Sequence, residues 1–195
     1  YLLIVGSNVG YNKVAPNIEQ SNDYDVGVTS AQIRARLSIQ YENHSTTPLG
    51  ECDKLKQYVP TYDSLVQGCY WDYVRVYVPA EAELVSASGG DETFQTWSES
   101  GRTVFATAFL LRPGEQRELC LEYNLPADTL RGNRYQLYVQ KQAGTDAIPI
   151  RVNITANRGL SIPKGALRPD VLEKGRALYS TYLLKDVSLS AMISP

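Results

Sequence analysis

Alternation of apolar with polar or aromatic residues recurs along the chain, and it is clearest in the run YWDYVRVYVP at 70–79. There, Val74, Val76 and Val78 point to one side of an extended chain, and the aromatic and arginine side chains point to the other. This period of two, in segments rich in β-branched and aromatic residues, is typical of β-strands. Similar patterns occur at 31–42, 102–111, 116–124, 135–142 and 148–155.

These segments predict an all-β fold. Short strands follow one another at spacings of about 10 residues, with Gly- and Pro-containing turn signals between them. No stretch between 70 and 155 is long enough for the crossover helices that a parallel βαβ sheet needs. The pattern therefore predicts an antiparallel immunoglobulin-like β-sandwich of about 8–9 strands, with a loop or helical insertion and an extended C-terminal tail.

Three regions are expected along the chain. The sandwich itself is predicted to span 31–158, and the insertion at 43–69 interrupts it after its first strand. Residues 1–30 are rich in Asn and Gly after an apolar start, which predicts an extended arm or a domain junction. Residues 159–195, broken by prolines, are predicted to form a tail that packs on the sandwich.

Charge and hydropathy narrow the classes of partner. The net charge of −2 gives no basic field, so nucleic acid is not an expected partner. No apolar run reaches the roughly 18 residues of a membrane-spanning helix, so no membrane span is expected in this chain. The chain begins at Tyr1 without a visible signal peptide, which suggests a piece of a longer protein.

Three cysteines leave the redox state open. Cys52 and Cys69 flank the insertion, and a bridge between them would close a loop of about 18 residues, worth roughly 3 kcal/mol. Such a bridge would indicate an oxidising compartment. The alternative is three reduced thiols, Cys120 included, that pack as small hydrophobic residues.

Candidate chemistry is sparse. The chain has one histidine, His44, which excludes multi-histidine metal sites, and it contains none of the common nucleotide-binding or nucleophile motifs. The carboxylate pairs Asp23/Asp25 and Asp91/Glu92 are weak candidates for calcium, because neither has the spacing of a known calcium loop. We predict no catalytic residue, no metal site and no cofactor, although a two-carboxylate glycosidase stays open.

The most informative constellation is a set of tyrosine, tryptophan and arginine side chains on the outward side of the predicted strands. If strands 31–42, 70–78 and 135–142 share a sheet, these side chains form one surface, which would suit an anionic glycopolymer or a docked protein domain. The alternative is that the insertion 43–69 or the tail 160–195 folds over it. The candidate binding residues are Arg34, Arg36, Trp71, Tyr73, Arg75, Tyr77 and Tyr138.

Several sequence segments together resemble a known family. They are SNVGYNK at 7–13, RVYVPAEAELVSASG at 75–89, PGEQRELCLEYNLP at 113–126 and YQLYVQKQAGT at 135–145. They are similar to the C-terminal region of a bacterial envelope family called domain of unknown function 4012, over residues 5–145. The resemblance implies a membrane-anchored protein with one N-terminal span, whose last, β-rich extracytoplasmic domain is this chain. It carries over no catalytic residue, and the Cys52–Cys69 insertion is not a feature of that family.

Together these observations predict a non-catalytic interaction or scaffold module in the cell envelope or at the cell surface. Its partners would be other domains of the same polypeptide, envelope components or a glycopolymer. Two alternatives remain. One is a carbohydrate-binding module that uses the tyrosine and arginine side chains. The other is an accessory domain that completes an enzyme site on an upstream domain.

Overall fold

Two β-sheets packed face to face make up the structure, a computed structural model that describes residues 1–46, 52–53 and 61–194. One short helix, α1 (Tyr62–Leu65), and two 3₁₀ turns, Ala15–Asn17 and Ala127–Thr129, accompany the strands. The strands are β1 (Leu2–Asn8), β2 (Ile18–Val28), β3 (Ile33–Asn43), β4 (Tyr70–Pro79), β5 (Glu83–Ser88), β6 (Gln95–Glu99), β7 (Arg102–Leu111), β8 (Gln116–Leu125), β9 (Leu130–Arg131), β10 (Arg134–Gln140), β11 (Ile148–Ala156), β12 (Leu160–Ser161), β13 (Val171–Glu173), β14 (Arg176–Leu183) and β15 (Val187–Ile193).

The strands divide between a first sheet of eight and a second sheet of seven. The first sheet has the order β12-β15-β10-β1-β4-β7-β6, and β9 also pairs with β10. The second sheet has the order β13-β14-β11-β2-β3-β8-β5. The predicted all-β sandwich is therefore confirmed. Its sheets are mixed rather than wholly antiparallel, because β1 runs parallel to β10 and β2 runs parallel to β11.

The two ends of the chain differ from the prediction and account for the larger number of strands. Residues 1–30 do not form an arm, because β1 and β2 lie in the middle of the two sheets. Leu2 and Val26 are fully buried there, since the apolar residues of both strands alternate into the core. Residues 159–195 do not simply pack on the sandwich; they supply β12 to β15 in the outer parts of both sheets.

The core lies between the sheets and follows the alternation of the strands. The valine side of β4 is buried, as the pattern predicts, with Val74, Val76 and Val78 at most 1% exposed. Aromatic residues fill much of the remaining space. Phe105 packs on Tyr123 with ring centroids 5.4 Å apart, and Phe109 packs on Tyr41 at 4.9 Å. These inward rows hold the two sheets in register and leave the opposite side of each strand for the surface.

A disulfide joins Cys52 to Cys69, with their Cα atoms 5.8 Å apart, which confirms the predicted pairing. Cys120 is a free cysteine on β8. Residues 47–51 and 54–60 of the predicted insertion at 43–69 lie outside the described residues, and α1 belongs to the part that is described. None of the described helices is long and apolar enough to span a membrane.

Candidate functional site

The structure separates the predicted binding residues into two groups. Arg34 and Arg36 lie on β3 in the second sheet, because β3 pairs with β2 and β8. The expectation that strand 31–42 shares a sheet with the other two strands is therefore wrong. The alternation of a strand indicates which of its sides is buried, but it does not indicate which strands are its neighbours. The residues that remain on the first sheet are Trp71, Tyr73, Arg75, Tyr77 and Tyr138.

The two arginines of β3 belong to a charged surface on the second sheet. Arg34 forms an ion pair with Glu122, with Nη1 and Oε1 3.0 Å apart. The Nη2 of Arg36 lies 3.9 Å from the Sγ of Cys120. Both side chains are thus engaged with the neighbouring strand β8, and they do not contribute to the aromatic surface of the first sheet.

Trp71 lies at one end of β4, against the loop that follows β1. The backbone N–H of Val9 donates to the carbonyl of Trp71 at 2.8 Å. A Cβ atom at Gly10 would come within 2.9 Å of the Trp71 ring, so only glycine leaves room for this contact. Trp71 therefore packs on the loop that follows β1 and does not belong to the group around Tyr77.

A chain of hydrogen bonds fixes the centre of the first sheet's outer side. The Nη1 of Arg75 donates to the hydroxyl of Tyr77 at 3.2 Å, and that hydroxyl donates to Glu99 at 2.9 Å. The indole Nε1 of Trp97 donates to the other oxygen of Glu99 at 3.0 Å. The hydrogen bonds from Trp97 and Tyr77 lower the pKa of Glu99, because they stabilise its ionised form.

A second group of side chains lies next to these hydrogen-bonded residues, at the end of β4 opposite Trp71. The rings of Tyr1 and Tyr138 stack, with centroids 6.1 Å apart and an interplanar angle of 26°. The guanidinium of Arg102 lies over the ring of Tyr1, 4.2 Å from its centroid, which is a cation–π contact. The hydroxyl of Tyr138 donates to Asp186, and this hydrogen bond, together with burial, raises the pKa of Tyr138.

Small apolar residues of β7 form the floor beneath these side chains. Val104 lies opposite Tyr77 and Trp97 in the register, and Ala106 lies opposite Arg75. Both point away from the core, yet Val104 is fully buried and Ala106 is 1% exposed. The larger side chains beside them therefore shield them from solvent and form a closed layer over the sheet.

We call this layer the aromatic–arginine face. Tyr73, Arg75 and Trp97 are half-buried within it, whereas Tyr138 is 40% exposed. The buried Nε of Arg75 has no hydrogen-bond partner. The face thus presents fixed aromatic rings beside an incompletely paired guanidinium. Its members are Tyr1, Tyr73, Arg75, Tyr77, Trp97, Glu99, Arg102 and Tyr138.

The sequence did not indicate four members of the face: Tyr1, Trp97, Glu99 and Arg102. Tyr1 lies in residues 1–30, which were expected to form an arm or a domain junction, and Trp97 and Glu99 lie on a strand whose pattern is weak. The one available signal was the turn between β6 and β7. A short antiparallel hairpin places Glu99 directly opposite Arg102.

Covering of this surface by the insertion or by the tail was the alternative expectation, and the described strands of the tail do not cover it. The tail strands β12 and β15 pair with the first sheet edge to edge instead of crossing its outer side. The described part of the insertion is bound to the loop after β1. There, Asn12 Nδ2 donates to the carbonyl of Cys69 at 2.8 Å, and Asn17 Nδ2 donates to that of Val66 at 2.6 Å.

The carboxylates considered for calcium mostly have protein partners. Asp23 pairs with Arg151 at 2.8 Å, and Asp25 accepts a hydrogen bond from Asn153 at 2.9 Å. Asp91 pairs with an arginine at 2.7 Å, while Glu92 is exposed on the same turn. Among the described residues, no group of three His, Cys, Asp or Glu side chains could hold a metal ion.

His44 lies at the end of β3 between two carboxylates. Its Nε2 is 3.1 Å from Glu19 and its Nδ1 is 3.7 Å from Glu42. Its side chain is 49% exposed, which agrees with a solvated loop histidine. No cysteine or serine nucleophile hydrogen-bonds its ring in the described part of the chain.

Comparison with known proteins shows similarity of fold only. No family model matches the chain, and no curated protein matches it. A solved structure from Legionella pneumophila, of a protein described as nutrient-binding, has a TM-score of 0.51 and 7% identity, covering 96% of this chain and 70% of that one. An M1 zinc metallopeptidase from Deinococcus radiodurans has a TM-score of 0.42 and 11% identity, covering 95% of this chain and 44% of that one. Leukotriene A4 hydrolase from Saccharomyces cerevisiae has a TM-score of 0.47 and 8% identity, covering 93% of this chain and 30% of that one.

Proposed function

We propose that this chain is a non-catalytic extracytoplasmic module of a larger envelope protein and binds a protein partner through the aromatic–arginine face. The observation that carries the proposal is the hydrogen-bonded chain from Arg75 through Tyr77 to Glu99 and Trp97. It holds large aromatic rings and a guanidinium in place on the outer side of the first sheet. Tyr, Trp and Arg are the residues most enriched where binding energy concentrates in protein interfaces.

Pre-organisation of the side chains supports the proposal that the aromatic–arginine face binds a protein. A flexible surface side chain loses about 0.5–1.5 kcal/mol of conformational freedom when a partner immobilises it. The rings of Tyr77 and Trp97 are already hydrogen-bonded through Glu99, so less of that freedom remains to be lost. The face can therefore bind a complementary surface with little rearrangement.

The charges of the face favour a partner that offers hydrogen-bond acceptors. Arg75 and Arg102 are both cationic, while Glu99 is the single carboxylate in the chain of hydrogen bonds. Arg75 is only half-buried, so its guanidinium offers donors to backbone carbonyls or carboxylates of a docked domain. Asp186, which accepts from the Tyr138 hydroxyl, balances the second arginine, so the partner surface is expected to be polar without a large net charge.

The extracytoplasmic location draws support from the disulfide. Cys52 and Cys69 are joined in the structure, and such bridges persist mainly in oxidising compartments. This agrees with the resemblance to the envelope family over residues 5–145. The link to a membrane anchor and to an upstream domain rests on that resemblance alone.

An anionic glycopolymer is the second candidate partner. The observation in its favour is the stack of Tyr1 on Tyr138, because the Tyr138 ring is 40% exposed and the Arg102 guanidinium lies over the Tyr1 ring of the same stack. Exposed aromatic rings provide the flat apolar surface on which sugar rings pack, and arginine pairs with acidic groups.

Binding of the purified chain to envelope extracts and to isolated anionic cell-wall polymers tests both candidates. The test variant combines Arg75→Ala with Tyr77→Ala. The matched control combines Arg34→Ala with Arg36→Ala, which removes two arginines from the opposite side of the sandwich. We expect the test variant to lose binding and the control to keep it. Equal binding by both variants, or no binding by any correctly folded chain, would overturn the proposal.

The identity of the retained partner separates the two candidates. Binding that survives digestion of the extract's polysaccharides but not of its proteins supports a docked domain. The reverse result supports the glycopolymer. An accessory role at an enzyme site on an upstream domain remains a prediction, and it fails if the full-length protein stays fully active without this chain.

A further inference from the structure

A cleft of about 750 Å³ opens between the two sheets at the end where β1 finishes. One wall comes from the first sheet through Gly6 and Tyr70, and the other comes from the second sheet through Tyr41. The connection between β10 and β11, around Gln142, closes one side. This is a different part of the molecule from the aromatic–arginine face, which lies on the outside of the first sheet.

The carboxylate of Asp72 lies directly behind this cleft. Asp72 is on the core side of β4 and is 0% exposed, and neither of its oxygens has a hydrogen-bond partner. The Tyr70 hydroxyl and the backbone N–H groups of Ser7 and Tyr73 are near enough to favour its ionised form. Buried carboxylates are normally paired, so an unpaired one calls for a specific explanation.

Gly6 gives the carboxylate its place beside the cleft. A Cβ atom at this position would lie 2.9 Å from Oδ2 and 3.3 Å from Oδ1 of Asp72. Gly6 also lines the cleft, and Gln142 hydrogen-bonds both its backbone N–H and its carbonyl at 2.9 Å. The absent side chain therefore allows the carboxylate to approach the cleft wall.

Two tyrosines that line the cleft, Tyr41 and Tyr70, lie close enough to Asp72 to be influenced by its charge. Tyr41 and Tyr70 both pack on Phe109, at centroid distances of 4.9 and 6.2 Å. Burial is the main cause that raises the pKa of each hydroxyl, and the nearby charge of Asp72 raises it further. The Tyr41 hydroxyl has no hydrogen-bond partner. The base of the cleft thus combines aromatic rings with unsatisfied oxygen atoms.

The ionisable groups that line the cleft are carboxylates and tyrosines, together with one histidine. Glu19 and Asp146 contribute carboxylates, and His44 lies on the rim beside Glu19. None of the described residues that line the cleft is a lysine or an arginine. A buried negative charge, further carboxylates and aromatic rings together attract cations.

We propose that this cleft binds a small organic cation, an ammonium or guanidinium compound, with its charged group at Tyr41 and Tyr70 in front of Asp72. The tyrosine hydroxyls and rings contact the cation, while the charge of Asp72 acts from behind them. The cleft volume falls within the roughly 300–1,000 Å³ of small-molecule sites. This proposal does not depend on the proposed function of the aromatic–arginine face.

An NMR titration of the isotope-labelled chain tests the proposal. The probes are butylammonium and agmatine, with butyrate as the anionic counterpart and calcium chloride as a metal ion. We expect both organic cations to shift the amide signals of Gly6 and Gly144 in a saturable way. Asp72→Asn should weaken binding at least about tenfold. The matched control Asp25→Asn removes a carboxylate from the outer side of the second sheet and should change affinity less than about twofold.

A second variant tests the same site independently, in case Asp72→Asn does not fold. Tyr70→Phe keeps the ring and removes the hydroxyl, and it should weaken binding while Arg75→Ala does not. The proposal is overturned if no organic cation binds at about 100 mM, if butyrate binds as well, or if Asp72→Asn or Tyr70→Phe binds as tightly as the parent chain. Binding of calcium alone would overturn it in favour of a metal site.

Discussion

Replacing Asp72 with asparagine should stabilise the protein at neutral pH and leave its stability unchanged in acid. Burial raises the pKa of Asp72 from 3.8 to about 6 in the folded chain. Each pKa unit corresponds to about 1.4 kcal/mol, so the ionised side chain destabilises the folded state by roughly 3 kcal/mol above pH 6. Asparagine has nearly the same shape but carries no charge, so the substitution removes this penalty.

The pH dependence follows from the direction of the shift. Below about pH 4, Asp72 is protonated in both the folded and unfolded states and contributes no difference. As pH rises from about 4 to about 6, the unfolded chain ionises first, and the folded state loses relative stability. The penalty is complete above about pH 6. The advantage of Asp72→Asn should therefore grow over this interval and stay constant at higher pH.

Urea unfolding of both proteins from pH 3 to pH 8 measures this difference. Near pH 8, the variant should gain up to about 3 kcal/mol, or about 6–12 °C in melting temperature for a domain of this size. Near pH 3, the two proteins should unfold together. A variant that is less stable than the parent at pH 8, or a difference that does not change with pH, would show that Asp72 is not a strained buried charge.

Three further outcomes follow from particular contacts. Gly6→Ala should destabilise the fold by about 1–3 kcal/mol, because the new Cβ atom clashes with Asp72. Combining it with Asp72→Ala should lower the free energy of unfolding by less than the sum of the two single effects, and additive effects in urea unfolding would contradict the contact. Thiol titration of the unfolded, unreduced protein should count one thiol, that of Cys120, and reduction should lower stability by roughly 3 kcal/mol; a count of three would refute the bridge. Trp97→Phe should raise the pKa of Glu99 in a carbon-NMR titration, because it removes the indole donor, and an unmoved pKa would contradict that hydrogen bond.

The sandwich could be predicted because its cause is local. In β4, the alternation of Val74, Val76 and Val78 with larger residues determines which side of the strand is buried, and the structure buries that side. The same pattern also places Asp72 on the valine side. A polar residue at a core position was therefore visible in the sequence as a conflict between pattern and residue type, and such conflicts often mark functional sites.

The composition of the candidate surface could not be predicted because its causes are non-local. Arg34 and Arg36 have the outward orientation that their strand predicts, but hydrogen bonding to β8 assigns them to the other sheet. Glu99 and Trp97 join the face through the pairing of β6 with β7 and of β7 with β4. Tyr1 joins it through the parallel pairing of β1 with β10, which brings together residues from opposite parts of the chain.

The most direct test of the interaction role is hydroxyl-radical footprinting of the full-length protein in its native cells, compared with the purified chain. Tyr11 and Tyr62 are exposed, at 60% and 63%, outside the aromatic–arginine face and serve as internal references. If a partner binds the face, Tyr73, Trp97 and Tyr138 should be oxidised more slowly in cells than in the purified chain, relative to those references. Equal relative rates in the two samples would contradict the proposal that the face is a binding surface.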